Sequence, residues 1–424
     1  MDRQLTDRIL ALLSREVKPA LGCTEPIAVA IAVARAAAEW PDLKAETLTV
    51  RVSPNILKNA MGVGIPGTGL TGLPVASALA LVCGNYKYGL EVLKDATPAA
   101  AKEARKFVDD GRVKVEVSDC KSMLYAEAEC RFPGGHTSMA AIRDEHDAIV
   151  HVERDGKVVL DVAKAAADET NEDGSFLTLP MIYEFATTVD LGELDLIREQ
   201  IKMNTALSDE GMKGGYGLSV GKTLRRDFAF GDDLATYCMA LTASASDARM
   251  AGCMLPAMSN SGSGNQGITV SMPVIAAAKY LGSSETELVR ALALSNLIAI
   301  HIKSYLGRLS ALCGCVVAST GASCGIVMLM GGGVPEFASA IKNMAGSITG
   351  MVCDGAKEGC AMKVASGVSC ALQSAVLALR GICVQSTDGI IDQDVEKTIR
   401  NLGQIGSKGM RKTDQLILDI MVCK

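Results

Sequence analysis

Apolar residues fall on one face of the opening segment, at Leu5, Ile9, Leu12 and Leu13, which is the spacing of an amphipathic helix. Pro19 and Gly22 break it. Thr24 can cap a second helix, with Glu25 and Pro26 in its first turn, running through an Ala/Val stretch to about Glu39. The period then changes. Thr47 to Val52 alternates and predicts a strand, and 98–109 reads as a helix. Short alternating segments follow at 113–117, 124–132, 137–142, 148–152 and 157–160, with Asp155-Gly156 as a hairpin signal. Beyond about residue 165 strands disappear. Helical periodicity covers 177–206, 231–249, 268–281, 285–304 and several more segments to 422.

This order predicts an α+β fold, with an antiparallel β-containing lobe over 1–165 and a larger all-helical lobe over 175–424. The polar stretch from Asp168 to Gly174 reads as a linker. The helices within 1–40 are free to pack on the helical lobe. Composition sharpens the picture. Apolar residues make up 49% of the chain but aromatics only 4%, so the core must be built from Ala, Val, Leu, Ile and Met, which favours close helix packing. The 42 glycines require many turns or close backbone contacts.

A net charge of −6, with no polybasic run, argues against nucleic acid or an anionic membrane as partner. Residues 311–330 carry no charge, but Gly, Ser, Thr and Cys crowd the stretch and it ends at Gly331-Gly332-Gly333, so a membrane span is rejected. The charged start Met1–Arg8 lacks a signal-peptide apolar core, and a cytoplasmic location is expected. A homo-oligomer stays open. Fourteen cysteines in such a chain point to reduced thiols and metal chemistry.

Cys353 and Cys360 bracket a turn, Asp354-Gly355-Ala356-Lys357-Glu358-Gly359, and Cys313 lies at the head of the uncharged stretch. Three thiolates so held could ligate three irons of a four-iron cluster and leave the fourth open as a Lewis acid. The bland alternative is three small buried residues. Cys315 and Cys324 are local rivals to Cys313, and zinc is disfavoured because no His lies near these thiols in sequence.

Cys23 falls at a helix N-terminus, a position that favours thiolate, and sits beside Glu25. It is a candidate base or nucleophile against the alternative of an inert packed thiol. Two glycine-rich segments suit an anion such as an amino-acid carboxylate. The first carries Asn55, Lys58, Asn59 and Thr68. The second, Ser259 to Gly267, precedes a helix expected near Ile268 and carries Asn260, Ser261, Ser263, Asn265 and Gln266. Either is also readable as an ordinary loop. His301 and Lys303 fit a plain core or surface face. His136, His146 and His151 show no metal spacing, and Lys222 lacks a phosphate-loop context.

Leu21-Gly22-Cys23-Thr24-Glu25-Pro26, Asn55-Ile56-Leu57-Lys58-Asn59 with Ile65-Pro66-Gly67-Thr68-Gly69, Ser261 to Gly267, and Cys353 to Lys357 with Gly359-Cys360 resemble the L-cysteine desulfidase family. That family is related to the iron–sulfur L-serine dehydratases, and the resemblance runs nearly the whole chain. It implies a [4Fe–4S] cluster with one open iron on Cys313, Cys353 and Cys360, and Cys23 as the catalytic base. It also implies α,β-elimination of L-cysteine to sulfide, pyruvate and ammonia without pyridoxal phosphate. Cys423 reads as part of a frayed tail, with an occasional fourth ligand as the alternative. The rival readings are an iron–sulfur L-serine dehydratase and a non-catalytic iron–sulfur redox sensor.

Overall fold

The computed structural model describes residues 1–162, 173–226, 231–307 and 310–423. The first part contains α1 (Arg3–Glu16), β1 (Pro19–Ala20), α2 (Thr24–Ala37), β2 (Thr47–Val52), α3 (Pro54–Ala60), α4 (Leu73–Cys83) and α5 (Pro98–Asp109). Strands β3 (Val113–Val117), β4 (Tyr125–Arg131), β5 (Thr137–Arg143), β6 (Ile149–Arg154) and β7 (Lys157–Asp161) follow. They form one sheet in the order β3-β2-β4-β5-β6-β7. The sheet is mixed rather than purely antiparallel, because β2 and β3 pair in parallel. The helices α3 to α5 form the crossover that a parallel pair needs. Asp155 and Gly156 both take positive φ and close the β6–β7 hairpin. Leu48, Val50 and Val52, with Ala126, Ala128, Ala140 and Ile142, bury one face against α2 and α4. The opposite face carries Arg51 among Glu116, Glu127 and Glu129.

The helical part contains α6 (Leu179–Thr188), α7 (Asp195–Lys213), α8 (Val220–Arg226), α9 (Leu234–Met250), α10 (Gly264–Leu281), α11 (Glu285–Leu306), α12 (Gly314–Leu329), α13 (Val334–Ile348), α14 (Cys360–Leu379), α15 (Val395–Gln404) and α16 (Arg411–Val422). The expected helix over 177–206 is two, because Asp190 spends its side chain on Gly192 N–H and turns the chain. A short strand, β8 (Ala257–Met258), interrupts the helices. Small residues let the axes close up: a Cβ at Gly211 of α7 would stand 1.9 Å from Ser244 O of α9. The uncharged α12 is a core helix packed among α10, α11, α13 and α14. Among the described residues α14 alone is long and apolar enough to cross a membrane, and it packs against α9, α12 and α13. The linker expected at 168–174 lies outside the described residues except for Asp173 and Gly174.

The two parts are interleaved in sequence. Ile9, Leu12 and Leu13 of α1 join the helical core, whereas α2 belongs to the sheet core. Between them β1 pairs with β8, Pro19 to Met258 and Ala20 to Ala257. Lys18 O also accepts from Ser259 N and Oγ, and Glu16 O from Ser261 N. These bonds set the start of α2 beside the start of α10.

Candidate active site

Cys23 is the N-cap of α2, one residue earlier than the cap expected at Thr24. Gly22, at φ +76°, makes the turn into it, and Pro66 packs where a Gly22 Cβ would be. The Cys23 thiol donates to Glu25 Oε2 at 3.2 Å, and Asn59 Nδ2 donates to Glu25 Oε1 at 3.1 Å. Burial pushes the Cys23 thiol well above its ordinary range, and the Glu25 carboxylate adds to this while Arg249 opposes it. Position at a helix N-terminus therefore does not make Cys23 a thiolate, contrary to the sequence expectation. Its burial, at 4% exposure, outweighs the helix dipole. Desolvation at the half-buried Glu25 raises it, but His146, the Cys23 thiol and Arg249 together hold it below the usual carboxylate range. The resting pair is a thiol hydrogen-bonded to a carboxylate.

The three expected ligand thiols converge on one region. An isolated bridge between Leu312 and Val352 aligns the two segments, with Cys313 N bonded to Met351 O and Cys353 N to Ala311 O. Cys313 is the N-cap of α12 and Cys360 the first residue of α14. Cys360 packs with Cys23, Val63, Met250 and Ala356. The starts of α2, α10, α12 and α14 thus surround one centre, and their partial positive charge favours anions there. Hydrogen bonding from Cys315 lowers Cys313 to about 7 against its burial. Burial lifts Cys353 to about 11, with the Cys313 charge adding and Lys58 opposing, and burial raises Cys360. The hydrogen bond to Cys313, then burial and the Cys313 charge, raise Cys315 well above the ordinary thiol range.

Among the described residues, no group of three or more His, Cys, Asp or Glu side chains is set to hold a single metal ion. Cys324 is buried with α13, bonded to Phe337 O, and Cys423 is exposed at the end of α16.

The other candidates sort into distinct places. Asn59 and Glu25 touch the Cys23 thiol directly or through one bond. Helix α10 begins at Gly264 rather than near Ile268, because Ser263 caps it by accepting from Gln266 N at 3.3 Å. Asn265 and Gln266 therefore project from a first helical turn. Asn260 is a buried hub whose Oδ1 accepts from Ser261 Oγ and Gln266 Nε2, each at 2.9 Å, and whose Nδ2 donates to Asn296 Oδ1. Ser261 takes φ +48° in that turn. Thr68 spends its hydroxyl on Ile65 O and accepts from Leu70 N, so it holds its own loop. Lys58 is buried, ion-paired with Asp414 of α16, and donates to Cys353 O at 3.4 Å. Asn55 lines a separate cavity of about 370 Å³ with Cys120, Arg411 and Asp414. His301 is buried between Gly174 O and Glu396 Oε2.

One site residue escaped the sequence reading. Arg249, at the end of α9, donates Nη2 to Gly22 O at 2.8 Å and Nη1 to Asn265 Oδ1 at 3.1 Å. An Arg in the last turn of a helix reads as a complement to the dipole. The signal available was its lone positive charge at the end of the small-residue run Ala243–Ala248.

The family model described as serine dehydratase alpha chain matches residues 87–419, most of the chain. The chain belongs to that family. It is similar to a UPF0597 protein of Bacteroides fragilis, 49% identical over 421 residues and covering 98% of both chains. It is also similar to UPF0597 proteins of Oleidesulfovibrio alaskensis, 50% identical over 424 residues and 98% of both chains, and of Parabacteroides distasonis, 50% identical over 430 residues and all of both chains.

Proposed function

We propose that this chain is an L-cysteine desulfidase, a carbon–sulfur lyase of the cytoplasm acting in cysteine catabolism. The observation that carries the reading is the Cys23–Glu25 pair, with Cys360 packed against the same thiol. Membership in a serine dehydratase family supports the reaction class, elimination of a β-substituent from an amino acid.

The donor set suits a cluster. The Leu312–Val352 bridge sets Cys313 beside Cys353, Cys360 opens the helix after the Cys353 turn, and all three are free thiols that would release their protons on binding iron. A cluster spreads its ligands over separate irons, so its thiols need not gather on one point as those of a single-ion site must. Cys313, Cys353 and Cys360 would hold a [4Fe–4S] cluster, which when bound supplies a Lewis-acidic iron free of protein thiolate.

The chain's own residues manage the proton. Cys23 Sγ receives the substrate α-proton while its own proton moves to Glu25 Oε2. The substrate Cα–H bond breaks, an S–H bond forms on Cys23, and the carbanion pair becomes the double bond of aminoacrylate as sulfide leaves. Water converts aminoacrylate to pyruvate and ammonia. Asn59 holds the other Glu25 oxygen and so fixes the carboxylate's orientation toward the thiol.

The second reading is an L-serine dehydratase, favoured by the description of the family model. Anaerobic assay of sulfide and pyruvate from L-cysteine, beside pyruvate from L-serine, tests the choice.

A further inference from the structure

Arg249 is 3% exposed and makes no ion pair among the described residues. Its two hydrogen bonds go to neutral oxygens, and its Nε has no partner. The Glu25 carboxylate acts on Arg249 through space but accepts no hydrogen bond from it, and an incoming carboxylate would supply a charged fork of acceptors in direct contact. Gly264 makes room for it: a Cβ there would stand 2.3 Å from Arg249 Nε. The glycine at the start of α10 is what lets the guanidinium lie against that turn.

Two buried amide oxygens complement it. Asn59 turns its Nδ2 to the Glu25 carboxylate, so its Oδ1 must face the other way, and that atom has no partner. Gln266 is oriented by a longer chain. Asn296 Nδ2 donates to Gln200 Oε1, Asn260 Nδ2 to Asn296 Oδ1, and Gln266 Nε2 to Asn260 Oδ1. Reversing the last amide would set two oxygens against each other. Gln266 Oε1 is thereby left without a partner, 3.2 Å from where a Cβ would stand on Gly314, next to Cys313. Orphaned buried polar atoms in this number call for an explanation.

We propose that Arg249, Asn59 and Gln266 form a recognition site for a zwitterionic α-amino acid, the guanidinium taking its carboxylate and the two amide oxygens its ammonium. A zwitterion carries the converse set, two anionic acceptors and three N–H donors. The placement also accounts for the base. The α-carbon lies between carboxylate and ammonium, hence between Arg249 and Asn59, and Cys23 joins these two: Arg249 bonds to Gly22 O on one side, and Glu25 links the thiol to Asn59 on the other. The inference rests on the amino-acid lyase reading above and adds the charge pattern the substrate must carry.

The test uses anaerobic, iron-loaded protein and ligands that cannot react. 2-Methyl-L-cysteine has no α-proton, cysteamine lacks the carboxylate and 3-mercaptopropionate lacks the ammonium. Calorimetric titration should show the wild type binding 2-methyl-L-cysteine at least about tenfold more tightly than either fragment. Arg249→Gln should abolish the preference over cysteamine and leave cysteamine binding itself within about twofold. Gln266→Met should reduce the preference over 3-mercaptopropionate. Gly264→Ala drives a methyl onto Arg249 without removing the charge, so it reports on the site even where the Gln variant fails to fold; it should lower the same carboxylate preference. A preference over cysteamine that survives in Arg249→Gln or in Gly264→Ala overturns the proposal. The pair 2-methyl-L-serine and ethanolamine repeats the measurement with a hydroxyl. Carboxylate preference in the hydroxyl series alone keeps the zwitterion site and removes the desulfidase reading.

Discussion

The Cys23 thiol and the Glu25 carboxylate form one proton-sharing unit: Sγ donates to Oε2 at 3.2 Å, with the thiol buried and the carboxylate half-buried at the start of α2. The pair explains how a buried thiol can act as a base. Its proton has a fixed acceptor two residues away, so deprotonation need not place an isolated thiolate in an apolar site. Glu25→Gln removes that acceptor while keeping the shape. Turnover should fall by about 10²–10⁴-fold with iron content unchanged, measured as initial rate beside iron analysis. A variant that keeps its full rate would show that Glu25 takes no part. Cys23→Ser should likewise keep iron and lose rate, because a serine hydroxyl is far harder to deprotonate than a thiol. Loss of iron in that variant would make Cys23 a ligand.

The ligand assignment makes a separate prediction. Replacing Cys313, Cys353 or Cys360 by Ala should remove iron and the broad visible absorbance together. Cys315→Ala and Cys324→Ala should retain both, although Cys315 gives a hydrogen bond to Cys313. Full iron in Cys353→Ala would sink the assignment.

Lys58 and Asp414 tie the C-terminal helix to the thiol loop. Lys58 is 2% exposed, pairs with Asp414 and donates to Cys353 O. Removing one charge from such a pair strands the other. Asp414→Asn should destabilise the protein by about 3–5 kcal/mol, whereas Lys58→Met with Asp414→Leu should recover most of that loss. Denaturant unfolding of the three variants checks this, and equal stability of the single and double variants would contradict it.

Asp354 gives a pH dependence. Burial raises its carboxyl, but hydrogen bonds from Lys357 and Lys363 outweigh this and hold it at about 2. Unfolded, it returns to about 3.9. The unfolded chain therefore binds this proton first, and the stabilisation is present above about pH 4 and lost as pH falls towards 2. Asp354 is 40% exposed, so solvent screening keeps the effect small. Asp354→Asn should lose less Tm than wild type between pH 6 and pH 3 in iron-free protein. Identical losses would remove Asp354 from the account.

Local patterns carried the elements well where the cause was local. The strands at 47–52 and 113–117 and the helix at 98–109 have the bounds their alternation or periodicity indicated. Thr97 and Pro98 mark the start of that helix with a cap and an N1 proline. Helices α3 and α4 were hidden by the glycines between and around them, although Pro54 and Pro74 sit in their first turns. The parallel β2–β3 pair depends on a crossover of three helices, which no short window contains. Proximity of Cys23 to Glu25 was legible in the motif, but the protonation of Cys23 was not, since burial arises from Val63, Met250 and Cys360. Arg249 acquires its role only through Gly22, 227 residues away.

The central claim is tested most directly by kcat/KM for L-cysteine against L-serine on anaerobic, iron-loaded protein, with sulfide, pyruvate and ammonia all quantified. The account predicts a higher value for L-cysteine, with sulfide and pyruvate released in equal amounts. A higher value for L-serine, with pyruvate formed and L-cysteine merely inhibitory, would contradict the desulfidase assignment and establish a dehydratase.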